Sequence, residues 1–234
     1  MAAVTTIAER LDEVRARIAA AARRSGRSPG DVTLVAVSKG SPDEDVLAAR
    51  AAGQRLFGEN RPDQLAGRIA RLDGDLSWHL IGHLQRRAVR HVLVGVAMIE
   101  SLDRIRLAET LARRLPDVPP VLLEVNLAEE PQKHGVAPVD VPATAAAVVE
   151  LGLDLRGLMA IPPRPETPED SRPWFERLAE LGDVLGRELS GPVELSMGMS
   201  DDFEVAVECG ATIVRVGRAI FGERAATEPR RETT

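Results

Sequence analysis

Three short stretches carry residue types whose spacing could do chemistry. The first is LVAVSKGSPD, Leu34 to Asp43, an apolar run that ends on Lys39 with glycine, serine and proline behind it. A lysine held beside apolar groups has its charged form disfavoured, and the neutral amine is a nucleophile able to condense with a carbonyl. Val35 and Val37 alternate with Lys39 on one face of a strand, so the amine would rise between apolar neighbours. The plain alternative is a solvated charge at a strand end.

The second stretch is ELSMGMSDD, Glu194 to Asp202, and the third is RVGRAIFG, Arg215 to Gly222. In the second, a strand ends at Ser196 and leads through Gly198 and Met199 to Ser200. Gly198 permits close backbone approach, Ser200 is placed to cap a helix opening at Asp201, and the free amides at such a turn favour an anion. Gly217 offers a second close approach beside Arg218. Together they read as a phosphate cradle. The competing reading is an ordinary capped helix, with Asp201 and Asp202 repelling an anion.

Other reactive side chains read more plainly. His79 and His83 in WHLIGHLQ are four apart, but His79 falls in a strand and no H-E-x-x-H is present, so structural or rim hydrogen bonding is expected and no metal. Cys209, the single cysteine, sits at the end of a helix before Gly210 and reads as a small buried hydrophobe. One cysteine forms no intrachain disulfide and fits a reducing compartment. Lys133, in a loop, reads as a solvated charge.

These residues need elements to hold them. Thr5 to Arg24 has the period of an amphipathic helix, with Ile7, Leu11, Val14 and Ile18 on one face. Strand-like runs follow at TLVAVSK, QRLFGEN, LSWHLIG, AMIESL, PVLLEVNL, LRGLMAIP, PVELSMG and TIVRVGRAIFG. Helical stretches lie between them, including Asp43–Ala52, Asp103–Leu115, Val139–Leu151, Trp174–Leu189 and Asp201–Cys209. Strands alternating with helices imply parallel pairing with crossovers, and eight units close a (β/α)₈ TIM barrel. A doubly wound open sheet is the competitor, but neither G-x-G-x-x-G nor a Walker-type loop occurs. In a barrel, strands end at the active face. Here the ends carry Lys39, Asn60, Ser101, Asn126, Met159, Ser196 and Arg215, and the loops after strands seven and eight are a usual phosphate site. PPRPETPEDSRP, residues 162–173, reads as a variable loop on that rim.

Composition bounds the alternatives. The chain has 234 residues and a net charge of −6, which argues against nucleic-acid binding because phosphate neutralisation needs a basic face. No apolar run approaches the ~18–20 residues of a membrane helix, and the start of the chain does not read as a secretory signal. A cytoplasmic protein is expected, with one domain over 1–226 and a disordered tail over 227–234. No apolar stripe is left over for a partner, so a monomer is expected. There is no tyrosine.

LVAVSKG, RLFGEN, WHLIGHLQ, GLMAIP, LSMGMSDDFEVAVECGAT and IVRVGRAIFGER resemble the YggS/PROSC family of pyridoxal phosphate homeostasis proteins, from about Val32 to Arg224. The resemblance implies a single barrel of the alanine racemase N-terminal type, fold type III among pyridoxal-phosphate proteins, with the extra helix in front. It implies pyridoxal 5'-phosphate held as an internal aldimine on Lys39. Ser200 and the backbone around Met199, Gly217 and Arg218 would hold the phosphate, with Ser196 beside them at the end of strand seven. Arg215 would face the pyridine nitrogen, Asn60 and Met159 would line the ring, and Lys133 matches a loop lysine linked to cofactor exchange. Two departures stand out: Arg61-Pro62 follows FGEN where many members carry an aromatic residue, and Arg86-Arg87-Ala88 replaces the usual x-N-K. The implied role is a carrier or buffer that supplies apo-enzymes, without catalysis of its own. An amino-acid racemase or decarboxylase is the alternative, and a cofactor-free sugar-phosphate enzyme using Lys39 with Glu59 or Glu124 is a third.

Overall fold

A computed structural model describes residues 5–72, 74–89 and 95–223. Its centre is a closed, all-parallel barrel in which every strand pairs with its sequence neighbours and β8 returns to β1. The strands are β1 Thr33–Val37, β2 Leu56–Glu59, β3 Ser77–Leu80, β4 Val96–Leu102, β5 Val121–Val125, β6 Leu155–Ala160, β7 Glu194–Ser196 and β8 Ile213–Val216. The helices are α1 Ile7–Arg24, α2 Asp43–Ala51, α3 Pro62–Arg71, α4 Ile105–Arg114, α5 Val141–Glu150, α6 Arg172–Leu189, α7 Phe203–Glu208 and α8 Arg218–Phe221. The expected domain over 1–226 and tail over 227–234 both run past the described residues.

Two apolar layers follow from strand alternation. Outward-facing residues such as Ala36, Phe57, Trp78, Ile99 and Leu158 pack under the helices in one large core. Inward-facing Val35, Met98, Leu122, Met159 and Ile213 form a separate small cluster inside the barrel. The extra helix α1 starts where Thr6 accepts from the Glu9 amide while Glu9 bonds back to Thr6, a capping box. Its buried face is Leu11, Val14, Ile18, Ala21 and Ala22, and it lies against α7, α8 and α2. Arg17 and Arg24 reach Glu204 and Glu208 on α7 at 2.8 and 2.7 Å.

The structure differs from the sequence reading in four places. The first strand stops at Val37, so Lys39 lies beyond it on a turn. TIVRVGRAIFG divides into β8 and the short helix α8, with Gly217 between them. A helix, α3, occupies Pro62–Arg71, where none was read; Pro62 sits at its first position, where a missing N–H costs nothing. The 162–173 loop is partly built into the fold. Pro168–Ser171 forms a 3₁₀ turn with a Thr167–Asp170 capping box, and α6 begins at Arg172.

Truncating Leu11, fully buried on the inner face of α1, to Ala should lower the unfolding free energy by about 2–5 kcal/mol. Denaturant titration checks this, and no loss would mean that α1 is not part of the barrel's core.

Candidate functional site

Lys39, Asn60, Met199, Ser200, Arg215, Gly217 and Arg218 line one cavity of about 280 Å³ at the carboxyl mouth of the barrel. That is just below the roughly 300–1,000 Å³ of drug-sized ligand pockets, a scale suited to a single-ring ligand. Val37, Ile81 and Phe221 give it apolar wall. Met159 and Ser196, also read as site residues, lie beneath it. Met159 is fully buried in the interior cluster, and Ser196 is fully buried in a hydrogen-bonded chain.

Lys39 occupies the second position of a tight turn closed by Ser41 N donating to Ser38 O at 3.0 Å. Gly40 follows with φ +76°, a left-handed conformation that glycine adopts without strain. The turn carries the lysine out above the barrel mouth, so its side chain is exposed. The expected enclosure by Val35 and Val37 is not found, because the strand ends before Lys39 is reached.

The wall opposite is made by the loops after β7 and β8. Ser200 does not cap the helix, contrary to expectation; Asp202 stands at the helix start, and the Ser200 hydroxyl crosses to the start of α8. Its Oγ accepts from the amides of Gly217 and Ala219, both at 3.3 Å. A β-carbon on Gly217 would lie 3.1 Å from the Val37 carbonyl, so the glycine lets the two strand ends meet closely. The two acidic residues expected to repel an anion are already engaged. Asp201 pairs with Arg218, and Asp202 accepts from Met199 N and Ser171 Oγ, each at 2.7 Å. What remains is a small group of backbone amides and one hydroxyl suited to phosphate oxygens.

Under the cavity floor a polar chain threads the barrel. His79 Nδ1 meets Glu100 Oε1 at 2.5 Å, and Ser196 Oγ donates to Glu100 Oε2 at 2.6 Å. Arg215 Nη1 donates to Ser196 Oγ at 2.6 Å, and its Nη2 to the Ala160 carbonyl at 3.0 Å. Burial pushes the Glu100 carboxyl up, but the His79 bond, with Arg215 and Ser196, holds it below the ordinary range. Burial pulls the Arg215 guanidinium down, against the carboxylates around it. His79 is therefore an interior residue rather than a rim contact.

Two functional candidates escaped the sequence reading. Glu100 sits in AMIESL, where a charge at an inward strand position was the available signal. Arg68 on α3 is 6% exposed and bonds to Ser38, Ser41 and Glu59, although nothing in its helix distinguishes it from Arg71. His83 stacks on His134 with ring centroids 3.8 Å apart, and its Nδ1 lies 3.1 Å from Asp103 Oδ2. Ligand atoms of these three lie within 4.8 Å of one another. Near-parallel rings set their in-plane lone pairs side by side instead of at one point, and Arg104 already holds Asp103 at 2.6 Å. The cluster joins the loops after β3 and β5. Cys209, expected to be buried, is half-buried; burial pushes its thiol up, and its sulfur accepts from Arg172 Nη1 at 3.5 Å. Lys133 pairs with Glu130 at 2.8 Å. Burial, reinforced by Asp103 and opposed by Arg215, pushes the Glu124 carboxyl up to about 7, but Glu124 lines a neighbouring cavity with Asn126 and His134.

Three comparisons bear on this site. Residues 10–225 match the family model described as alanine racemase, N-terminal domain. The chain is 45% identical over 226 residues to the pyridoxal phosphate homeostasis protein of Pseudomonas aeruginosa, covering 94% of this chain and 97% of that protein. It is 43% identical over 222 residues to the protein of the same name from Aquifex aeolicus, covering 92% and 97%. Among solved structures, PipY of Synechococcus elongatus with PLP bound is 36% identical, with a TM-score of 0.80 over 93% of this chain and all of PipY.

The Glu124 shift gives a prediction with a definite sign. Its folded-state pKa lies above the ordinary carboxylate value, so the native state holds the extra proton. The stabilisation is complete below about pH 4.5 and is lost as pH rises through about 7. Glu124→Gln should remove a stability decline of about 3 kcal/mol between those limits. Denaturant midpoints measured across that range at fixed ionic strength would show it, and identical profiles for the two proteins would refute it.

Proposed function

The chain belongs to the alanine racemase N-terminal domain family and, within it, to the pyridoxal phosphate homeostasis proteins, and we propose that it binds pyridoxal 5'-phosphate through Lys39 as a carrier. When bound, this cofactor supplies an aldehyde that condenses with a primary amine, releasing one water. The single observation that carries the reading is the pairing of cavity walls: an exposed primary amine on one side, and the Ser200 hydroxyl with the Gly217 and Ala219 amides on the other.

The residues present fit that group. The Ser200 hydroxyl and the amides it now occupies would turn to the phosphate, and Arg218 adds a cation at the rim. Asn60, Met199 and Ile81 would enclose the ring, while Met159 and Ser196 would support the floor. Arg215 reaches the cavity from below with a guanidinium that only donates hydrogen bonds. Opposite a ring nitrogen it would keep that nitrogen unprotonated, which weakens the ring as an electron sink.

That electrostatic arrangement favours holding over catalysis, and the rest of the cavity agrees. Its titratable lining among the described residues is Lys39, Asp201, Arg215 and Arg218, and Asp201 is tied to Arg218. The chain has no tyrosine to act as a base opposite the lysine. Lys39 is exposed, so the bound cofactor would be accessible to an incoming acceptor. The reading is of a cytoplasmic monomer that passes the cofactor to apo-enzymes. Among the described residues no helix is long and apolar enough to cross a membrane.

Protein incubated with the cofactor should show visible absorption and, after borohydride reduction, an adduct mapped to Lys39 by mass spectrometry. Lys39→Ala should lose both while keeping its unfolding midpoint. A colourless protein without adduct would overturn the binding reading. The carrier role predicts reactivation of a cofactor-free enzyme by the loaded protein and no racemisation or decarboxylation of amino acids. Measured turnover of an amino acid would overturn it.

A further inference from the structure

The Lys39 turn is held from behind by one buried arginine. Arg68 rises from α3, and its Nη1 donates to the Ser38 carbonyl at 2.9 Å and the Ser38 hydroxyl at 2.6 Å. Its Nη2 donates to the Ser41 carbonyl. The two carbonyls belong to the first and last residues of the turn that presents Lys39, so one planar guanidinium spans the turn. The same Nη1 lies 3.0 Å from Glu59 Oε2, and Nε lies 3.4 Å from Asp43 Oδ1. Glu59 is fully buried, and its other oxygen accepts from the amides of Asn60 at 2.8 Å and Arg61 at 3.3 Å.

We propose that Arg68 is a positioning residue for the covalent chemistry of Lys39, fixing the turn so that the amine meets the carbonyl of a phosphate-anchored ligand. This rests on the cofactor reading above. The physical case lies in the geometry of the donor. A guanidinium carries five N–H groups in a rigid fork, so it can engage two carbonyls, a hydroxyl and a carboxylate together. Backbone carbonyls are weak individual anchors, and an exposed turn bounded by glycine would otherwise sample several conformations. Glu59 gives the clamp its footing. It balances the buried cation and, through the Asn60 amide, ties the end of β2 to the end of β1. The cavity side of the turn is thus left to Lys39 and Ser41, while Arg68 adds to the Ser38–Gly58 and Ser41–Ser38 bonds a restraint from the opposite side. Arg68 touches no ligand space in the Lys39 cavity, so its influence is on where the amine stands, not on what binds.

The step concerned forms a C=N bond between Lys39 Nζ and the aldehyde carbon, with the aldehyde oxygen leaving as water. Misplacing reacting groups by about 1 Å can cost up to a hundredfold in rate. Arg68→Lys keeps a cation beside Glu59, but a single ammonium cannot bridge both carbonyls. It should slow covalent adduct formation about tenfold, followed by stopped-flow absorbance. Affinity for pyridoxine 5'-phosphate, an alcohol that cannot form the bond, should be unchanged at a temperature where the variant is fully folded. The pair Arg68→Met with Glu59→Gln removes both charges together and should slow the step further, again sparing pyridoxine 5'-phosphate affinity. Equal rates in wild type and both variants would overturn the clamp. So would a parallel loss of rate and non-covalent affinity, which would mark Arg68 as general scaffolding. A wild-type protein that forms no adduct at Lys39 would overturn the cofactor reading and the clamp with it, whereas a normal wild-type adduct with unchanged variants overturns the clamp alone.

Discussion

The interaction on which this structure turns is the burial of the Arg215 guanidinium inside the barrel. A cation taken out of water costs several kcal/mol unless its donors find partners, so the interior has to be built around it. Ser196 and the Ala160 carbonyl accept from it directly, and Glu100 supplies the balancing charge at 3.8 Å. Glu100 in turn is satisfied by His79 and Ser196. The chain therefore draws one residue each from β3, β4, β7 and β8, with a carbonyl from β6. Strand register is locked by polar demand as well as by apolar packing.

The same solution recurs at the mouth. Arg68 and Glu59 form a second buried ion pair whose remaining donors reach backbone carbonyls. Both arginines are anchored by a carboxylate on a strand and present their remaining hydrogens to a part of the chain that faces the cavity. One lies under the floor of the cavity and the other bonds both ends of the turn above it. Neither pair is needed to close a barrel, since well-packed apolar residues often serve stability as well as a buried ion pair does.

An acidic chain has to build an anion site without surplus cations. It does so by cancelling its own acids first: Asp201 is matched by Arg218, and Asp202 is consumed by a backbone amide and the Ser171 hydroxyl. The Ser171 contact ties the proline-rich 162–173 segment to the loop after β7. The amides of Gly217 and Ala219, oriented by the start of α8, supply positive potential without a formal charge. The Ser200 hydroxyl accepts from both amides.

How much of this was written in the chain depends on the range of the interaction. Alternation of apolar strands with amphipathic helices is a local signal, so eight units and parallel pairing were legible, as were Gly198, Gly217 and Ser200 as features of two particular loops. The end of β1 at Val37 was not, because a polar strand end and a turn look alike in sequence, while the turn is set by Gly40 and by Arg68 from another helix. The Ser200 hydroxyl accepts at the start of α8 instead of capping its own helix for the same reason: its two amide donors, Gly217 and Ala219, lie 17 and 19 residues away in sequence. Arg68 read like any surface arginine, and Glu100 like a stray charge in a strand. By itself the sequence determined the barrel, the lysine and the two glycine turns, since these follow from periodicity and local conformational freedom. Only the tertiary structure decided that the lysine stands exposed on a clamped turn above a buried arginine, because burial and ion pairing are properties of what closure of the barrel brings together.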